Sequence, residues 1–295
     1  MEKINGKLVA KAVKKQLKEA VEERIQKGEK KPHLAAILVG NDGASETYVA
    51  SKVKDCEEVG FDSTLLRFDN KITEKHLLDQ ITQLNENADI DGILVQLPLP
   101  EHISNENVIN TIDPAKDVDG FHPISMGKLV NGMPSFIPAT PYGIMLMLEH
   151  YNIETSGKRA VILGRSAIVG TPMSILLSRN TAYGNCTVTL CHSRTKDLKK
   201  LCAEADIIVA ALGKPEFVTA DMVKEGAVVI DVGITRVPDD TRKRGYRLAG
   251  DVKFDEVAPK CSYITPVPGG VGPMTRASLL KNTFNAAAAP KAGMN

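Results

Sequence analysis

No two cysteines in this chain are spaced C-x-x-C. The five present, Cys56, Cys186, Cys191, Cys202 and Cys261, are odd in number and scattered. That argues against a disulfide-stapled secreted scaffold and makes reduced thiols the expectation. No apolar run approaches the ~20 residues a membrane helix needs. The opening MEKINGKLVAKAVKKQ has no continuous apolar core, so no signal peptide is expected. Glu2, Glu19, Glu22 and Glu23 argue against a mitochondrial presequence. Charge imbalance is missing too: 37 basic against 36 acidic residues leave +1, with no bulk attraction to nucleic acid or anionic membrane. Neither H-E-x-x-H nor a Cys/His ligand spacing occurs. No metal is therefore expected, and His122 and His192 read as structural or peripheral.

What is present describes an ordinary soluble globular protein, 43% hydrophobic and 25% charged. Its 295 residues suit two domains, at roughly 100–200 residues each. Leu8, Val9, Val13, Leu17, Ala20, Val21 and Ile25 recur at helical spacing, which predicts a helix ending near Gly28. LAAILVG (34–40) predicts a buried strand, 45–59 a helix stopped by Gly60, and 73–87 another helix. DGILVQLPLP (91–100) predicts a strand halted by Pro98 and Pro100. This strand–helix alternation marks a parallel sheet flanked by helices. A Gly/Pro-rich middle (120–141) and a helix over 141–150 follow. Alternation then restarts, with strands at 159–164 and 187–193 and helices at 171–179 and 195–204. ADIIVAALG, AVVIDVG and SYITPVP are three more strands, and 274–288 a final helix. The expectation is an α/β protein of two domains. Residues 1–140 form an N-terminal domain, 141–273 a Rossmann-like doubly wound nucleotide domain, and 274–295 a helix returning to the first domain.

GRSAIVGTP (164–172) follows the first strand of the second block and opens a helix, with Pro172 near the first helical position. Such a helix N-terminus offers unpaired N–H groups to a pyrophosphate, and glycines at 164 and 170 allow close approach. The middle glycine of G-x-G-x-x-G is absent, with Ser166 in its place. NAD binders usually carry Asp or Glu at the end of the second strand. Here CHSRT has Ser193 and Arg194 instead, and Arg165 lies in the glycine turn. A hydroxyl and guanidiniums suit a 2′-phosphate, which favours NADP.

In the first block, TYVASK (47–52) puts Tyr48 and Lys52 four residues apart on one helix face, with Ser45 three before Tyr48. Taken singly, an N-cap serine, a packed tyrosine and a surface lysine explain them. Gln96, between Val95 and Leu97, sits at the C-terminal end of an apolar strand, the edge where parallel α/β sheets bind ligands. Leu97–Pro98 and Val267–Pro268 are the candidate cis bonds. KDVDGFH (116–122) places Asp117 and Asp119 in a turn. PVPGGVGPMT (266–275) is unusually rich in proline and glycine; its glycines would let main chain lie against a flat ligand, and its prolines would hold that surface ready.

YVASK, GILVQLPLP, KDVDGFH, GRSAIVGTP, CHSRT and PVPGGVGPMT, in this order over nearly the whole chain, resemble the bifunctional methylenetetrahydrofolate dehydrogenase/cyclohydrolase family. The resemblance implies an NADP-dependent enzyme with a folate cleft between two domains, expected as a cytoplasmic homodimer. It implies Lys52 as the catalytic lysine, Gln96 as its support, Tyr48 as the aromatic packing on the folate and Asp119 as the carboxylate bonding the pterin. Gly164, Arg165, Ser166, Ser193 and Ile234 match cofactor contacts. Ser45, Val95 and Leu97 join the folate site, as do Pro268, Gly269, Gly270, Val271, Gly272, Pro273, Met274, Thr275 and Arg276. Arg276 stands where relatives carry an apolar residue, so it faces either the folate's glutamate tail or solvent. NTAYGNC (180–186) lengthens the loop before the second nucleotide strand. The alternative on the same plan is a shikimate-dehydrogenase-like NADP oxidoreductase.

Overall fold

The computed structural model describes residues 1–242 and 245–289. In chain order the elements are β1 (Glu2–Lys3), α1 (Gly6–Gln26), β2 (His33–Val39), α2 (Gly43–Val59), β3 (Asp62–Phe68), α3 (Glu74–Glu86) and β4 (Gly92–Val95). Then come α4 (Asn105–Thr111), α5 (Pro123–Val130), α6 (Ala139–His150), β5 (Arg159–Leu163), α7 (Gly170–Ser178), β6 (Thr187–Cys191) and α8 (Leu198–Ala203). β7 (Ile207–Ala210), β8 (Ala227–Asp231), β9 (Thr235–Pro238), β10 (Tyr246–Ala249), α9 (Phe254–Val257), β11 (Cys261–Ile264) and α10 (Val271–Ala288) complete the chain. Two compact units result: Met1–Ala10 with Thr140–Thr275, and Lys11–Ala139 with the segment from Arg276 onward.

The second of these units is built on a parallel three-stranded sheet in the order β3–β2–β4. β2 reads as a continuous apolar run because Leu34 to Val39 are all buried, as a strand covered on both faces requires. Local chemistry sets the helix ends. Asp42 caps α2, its carboxylate accepting from Ser45 N at 2.8 Å, and Gly60 ends it in the left-handed region. Ser45, a candidate N-cap by sequence, is therefore three residues inside the cap and buried. β4 is shorter than its apolar run. It pairs with β2 only as far as Val95, and Gln96 N reaches Ile37 O at 2.9 Å as the last contact before Pro98, which has no N–H to donate. Part of α10 belongs to this unit: Asn282 Nδ2 donates to Val118 O (2.8 Å) and Ile137 O (2.9 Å), and Arg24 donates to Ala287 O. The expected return of the last helix to the first domain is thus seen.

The other unit carries a six-stranded sheet in the order β1–β11–β8–β7–β5–β6, every pair parallel. From β5 the chain moves to β6 on one side and later to β7 on the other. The switch point of this doubly wound sheet therefore lies between β5 and β7. The start of the chain departs from the expected boundary. β1 adds to the β11 edge, with Ile4 N donating to Ile264 O at 2.9 Å and Ile4 fully buried. Two exposed residues, Glu2 and Lys3, give no apolar pattern to read. α10 begins at Val271, three residues before the predicted start. Pro273 is accommodated there because first-turn N–H groups need no helical partner. Among the described residues no helix is long and apolar enough to cross a membrane.

Candidate active site

Lys52 and Gln96 come from different elements, α2 and the end of β4, and the fold brings them together. Lys52 Nζ donates to Gln96 Oε1 at 3.0 Å, and Gln96 Nε2 donates to Leu97 O at 2.7 Å. The amide is thereby oriented with its oxygen toward the amine. Lys52 is half-buried. Its pKa is lowered from the ordinary lysine value, first by burial and further by the Arg276 cation, against the pull of Asp119. Asp119 is pushed up to about 6 by burial, with Lys52 opposing and Asp117 adding. An amine whose pKa is lowered and a carboxyl pushed up to about 6 are groups suited to moving protons.

Asp119 owes its place to a turn that Asp117 organises. Asp117 is buried and accepts from Phe121 N (3.2 Å) and His122 N (2.9 Å). The turn lies against β4 through Ile93 N, which donates to Lys116 O at 2.8 Å. Gly120 adopts φ 73° there, and a Cβ would run into the backbone of Ile137 and Pro138. Asp119 then lines a pocket with Ile93, Val95, Leu97, Ile112 and Phe121. Tyr48 is exposed on the α2 face that carries Lys52, and Ser45, three residues earlier on the same helix, is buried. Both prolyl bonds singled out by sequence, Leu97–Pro98 and Val267–Pro268, are cis.

Arg276 carries an ion pair that neither of its two expectations included. Its guanidinium pairs with Asp55 at 3.2 Å, and Asp55 also accepts from Lys14 at 3.2 Å. Asp55 is buried and three residues after Lys52 on α2. Sequence reading missed Asp55 and Lys14; the only available signal was that i, i+3 spacing.

In the nucleotide unit, Gly164 follows β5 with φ 109°, and a Cβ there would overlap Ala211 O, just past β7. Gly170 opens α7 against Gly164 O with equally little room. Ser166 Oγ accepts from Val169 N at 3.2 Å, serving the first turn of α7 from within the loop. Arg165 and Ser166 are exposed, as are Ser193 and Arg194 past β6 and Ile234 past β8. Pro268 is exposed and Gly269 has φ 109°. Gly270 is buried, and its close approaches are to its own chain: a Cβ would meet Pro266 O and Thr265 Cβ at 2.7 Å, while Gly6 sits directly on Gly270 O. Glycine at 270 is therefore required by internal packing. Gly272 is exposed, and a Cβ there would meet nothing within 4 Å. Val271 and Met274 are buried, Pro273 and Thr275 half-buried, and Thr275 Oγ1 lies 3.1 Å from Thr140 Oγ1.

A doubly wound sheet with a glycine turn at its switch point, joined in one chain to an α/β unit bearing an amine of lowered pKa, defines a class: dinucleotide-binding α/β proteins with a second, chemistry-bearing unit. Comparison with known proteins makes this particular. Residues 4–119 match the tetrahydrofolate dehydrogenase/cyclohydrolase catalytic domain, and residues 138–291 match the NAD(P)-binding domain of the same family. The chain belongs to the tetrahydrofolate dehydrogenase/cyclohydrolase family. It is similar to the bifunctional protein FolD of Phocaeicola vulgatus, 62% identical over 96% of this chain and 97% of that protein. The FolD protein of Cytophaga hutchinsonii is also 62% identical, over 98% and 99%. Among solved structures, the bifunctional FolD dehydrogenase/cyclohydrolase of Campylobacter jejuni superposes with TM-score 0.92 at 47% identity, covering 98% of this chain and 99% of that one. The Trypanosoma brucei methylenetetrahydrofolate dehydrogenase-cyclohydrolase, complexed with NADP cofactor and inhibitor, gives 0.89 at 40% identity and covers 96% of each chain.

Proposed function

We propose that this protein oxidises 5,10-methylenetetrahydrofolate to 5,10-methenyltetrahydrofolate with NADP⁺ and then hydrolyses the product to 10-formyltetrahydrofolate. Lys52 is the general acid and base. The observation that carries this is the amine held on Gln96 with its pKa lowered by burial. Family membership supplies the reaction class.

When bound, NADP⁺ supplies the acceptor for a hydride from the folate's methylene carbon. The folate product is a cation and disfavours a charged amine beside it, which acts in the same direction as the burial that lowers the Lys52 pKa. In the second step water adds to the methenyl carbon and the N5–carbon bond breaks, leaving the formyl group on N10. Lys52 takes a proton from the water and returns one to N5. Gln96 fixes the amine without adding charge. Asp119 accepts two N–H bonds from the pterin edge as a carboxylate, and Tyr48 packs on the folate. Ser45, Val95 and Leu97 complete the surroundings on this unit, with residues 268–276 assigned to the folate as well.

The residues past β5 and β6 fit NADP. Glycine at 164 and 170 lets the turn close against its own backbone, since a Cβ at either would overlap a carbonyl, and this brings the N-terminus of α7 up to the end of β5. Arg165, Ser166, Ser193 and Arg194 are exposed donors, and no carboxylate lies between Cys191 and Lys196 to repel a 2′-phosphate. Ile234 is assigned to the nicotinamide end. A cytoplasmic homodimer is carried over on the family likeness alone. The test is purified protein with methylenetetrahydrofolate and NADP⁺ or NAD⁺, reading NADPH or NADH absorbance, with the hydrolysis of methenyltetrahydrofolate followed in wild type and Lys52→Met. Full hydrolysis by the variant would overturn the role given to Lys52.

A further inference from the structure

Two buried carboxylates in the nucleotide unit are used by nothing described so far. Asp231 ends β8 and is 3% exposed; Asp251 follows β10 and is 0% exposed. Neither has an ion-pair partner among the described residues. Their partners are backbone N–H groups. Asp251 Oδ2 accepts from Leu212 N (2.5 Å) and Gly213 N (3.0 Å), and Oδ1 from Lys214 N (2.7 Å). Asp231 Oδ1 accepts from Gly233 N (3.0 Å) and Asp251 N (2.9 Å), and Oδ2 from Val252 N (3.0 Å). The two are chained, since Asp231 holds the backbone of Asp251. Glycines make room for both: a Cβ on Gly233 would overlap the Asp251 carboxylate, and one on Gly250 would overlap that of Asp231. Burial pushes Asp231 up to about 7 in spite of its three N–H donors. Two acids buried without a cation cost stability.

What these acids hold is the ligand edge of the sheet. Residues 212–214 directly follow Ala211, whose carbonyl the Gly164 turn abuts at the switch point. Gly233 immediately precedes Ile234, past the end of β8. Ligands of doubly wound sheets bind outside the strand C-termini at that crevice. We propose that Asp251 and Asp231 are positioning residues for the dinucleotide, each fixing the main chain of one loop on the binding edge before the cofactor arrives. This rests on the dinucleotide reading of the unit. Its physical gain is preorganisation: loops already ordered lose less freedom on binding.

Amide exchange on the intact wild-type protein is the first test. Without NADP⁺, the amides of Leu212, Gly213, Lys214 and Gly233 are expected to be as protected as those of β7 and β8; free exchange there would overturn the proposal. Asp251→Asn is the second, because an amide presents an N–H₂ group to one set of donors. Exchange at 212–214 is expected to quicken, with NADP⁺ dissociation constant and KM both rising about tenfold, the scale of one hydrogen bond to a charged group. The KM for the folate and kcat are expected to move less than threefold. A loop loosened by Asp251→Asn with NADP⁺ affinity within twofold of wild type would overturn the proposal. If that variant does not fold, the wild-type exchange and the same measurements on Asp231→Asn decide. A wild type that binds neither NADP⁺ nor NAD⁺ sinks the dinucleotide reading itself, which the exchange data do not depend on.

Discussion

The surroundings of Lys52 and of Gly164 solve opposite problems. Around Lys52 the working atoms are side chains: an amine, an amide and two carboxyls, with burial and nearby charges shifting the pKa values of Lys52 and Asp119. Around Gly164 the working atoms are main chain, with side chains removed from the turn and buried acids bonded to loop N–H groups behind it. Proton transfer needs groups whose pKa can be tuned near neutrality, and the backbone offers none. A pyrophosphate needs short contacts and an array of N–H donors, which side chains would obstruct.

That contrast can be broken most severely at the amine. Lys52→Met is expected to lower the hydrolysis rate by ~10²–10⁴, the usual contribution of a positioned acid–base group. NADP⁺ binding by calorimetry should stay within about twofold. Loss of both together would show that the two regions do not divide the work as described. Next in size is the phosphate end. Removing Arg165 and Arg194 together is expected to shift the preference for NADP⁺ over NAD⁺ by about 10–100-fold, as one or two bonds to a charged group would. An unchanged ratio of kcat/KM values would remove these guanidiniums from the 2′-phosphate.

A smaller effect sharpens the account of Lys52. Arg276→Leu removes a cation that lowers the lysine's pKa and leaves Asp55 with Lys14 alone. The Lys52 pKa should rise, so the basic form appears at higher pH. The rising limb of the hydrolysis pH profile should move upward, with a loss of a few-fold near neutrality, about 1 kcal/mol at most for a screened charge. Movement to lower pH, or none, would contradict the assignment. A separate test reads stability rather than activity, through the two acids of raised pKa. Asp119 and Asp231 hold their protons more tightly folded than unfolded, with values of about 6 and about 7 against an ordinary 3.8. Their contribution is fully present below pH 4 and is lost as pH rises through 6 and 7. Urea unfolding of Asp231→Asn should lose less stability than wild type over that interval; parallel slopes would argue against the shift.

Several elements were legible because their patterns are local. The apolar run of β2, the helical period of α3 and the glycine stops at Gly28 and Gly60 needed no partner to be read. β3, DSTLLRF, escaped notice because most of it is only half-buried and it does not alternate cleanly. The short helices α4 and α5 and the hairpin β9–β10 lacked a long enough period. Lys52, Gln96 and Asp119 were singled out from separate motifs. Asp55, Asp231 and Asp251 were not, because a lone acid at a strand end or on a helix reads as turn chemistry or surface charge until its donors are known.

Sequence alone determined the two α/β blocks, the glycine turn, the absent carboxylate after β6 and the set of residue types available for chemistry. Each follows from spacing along the chain or from which side chains exist at all. Tertiary structure decided that Arg276 pairs with Asp55, that Gly270 packs on Gly6, and that the first strand joins the nucleotide sheet. It also decided which charges stand near Lys52. Those outcomes depend on burial and on distances between residues far apart in the chain, and a pKa or a close approach is set by such distances rather than by the order of the letters.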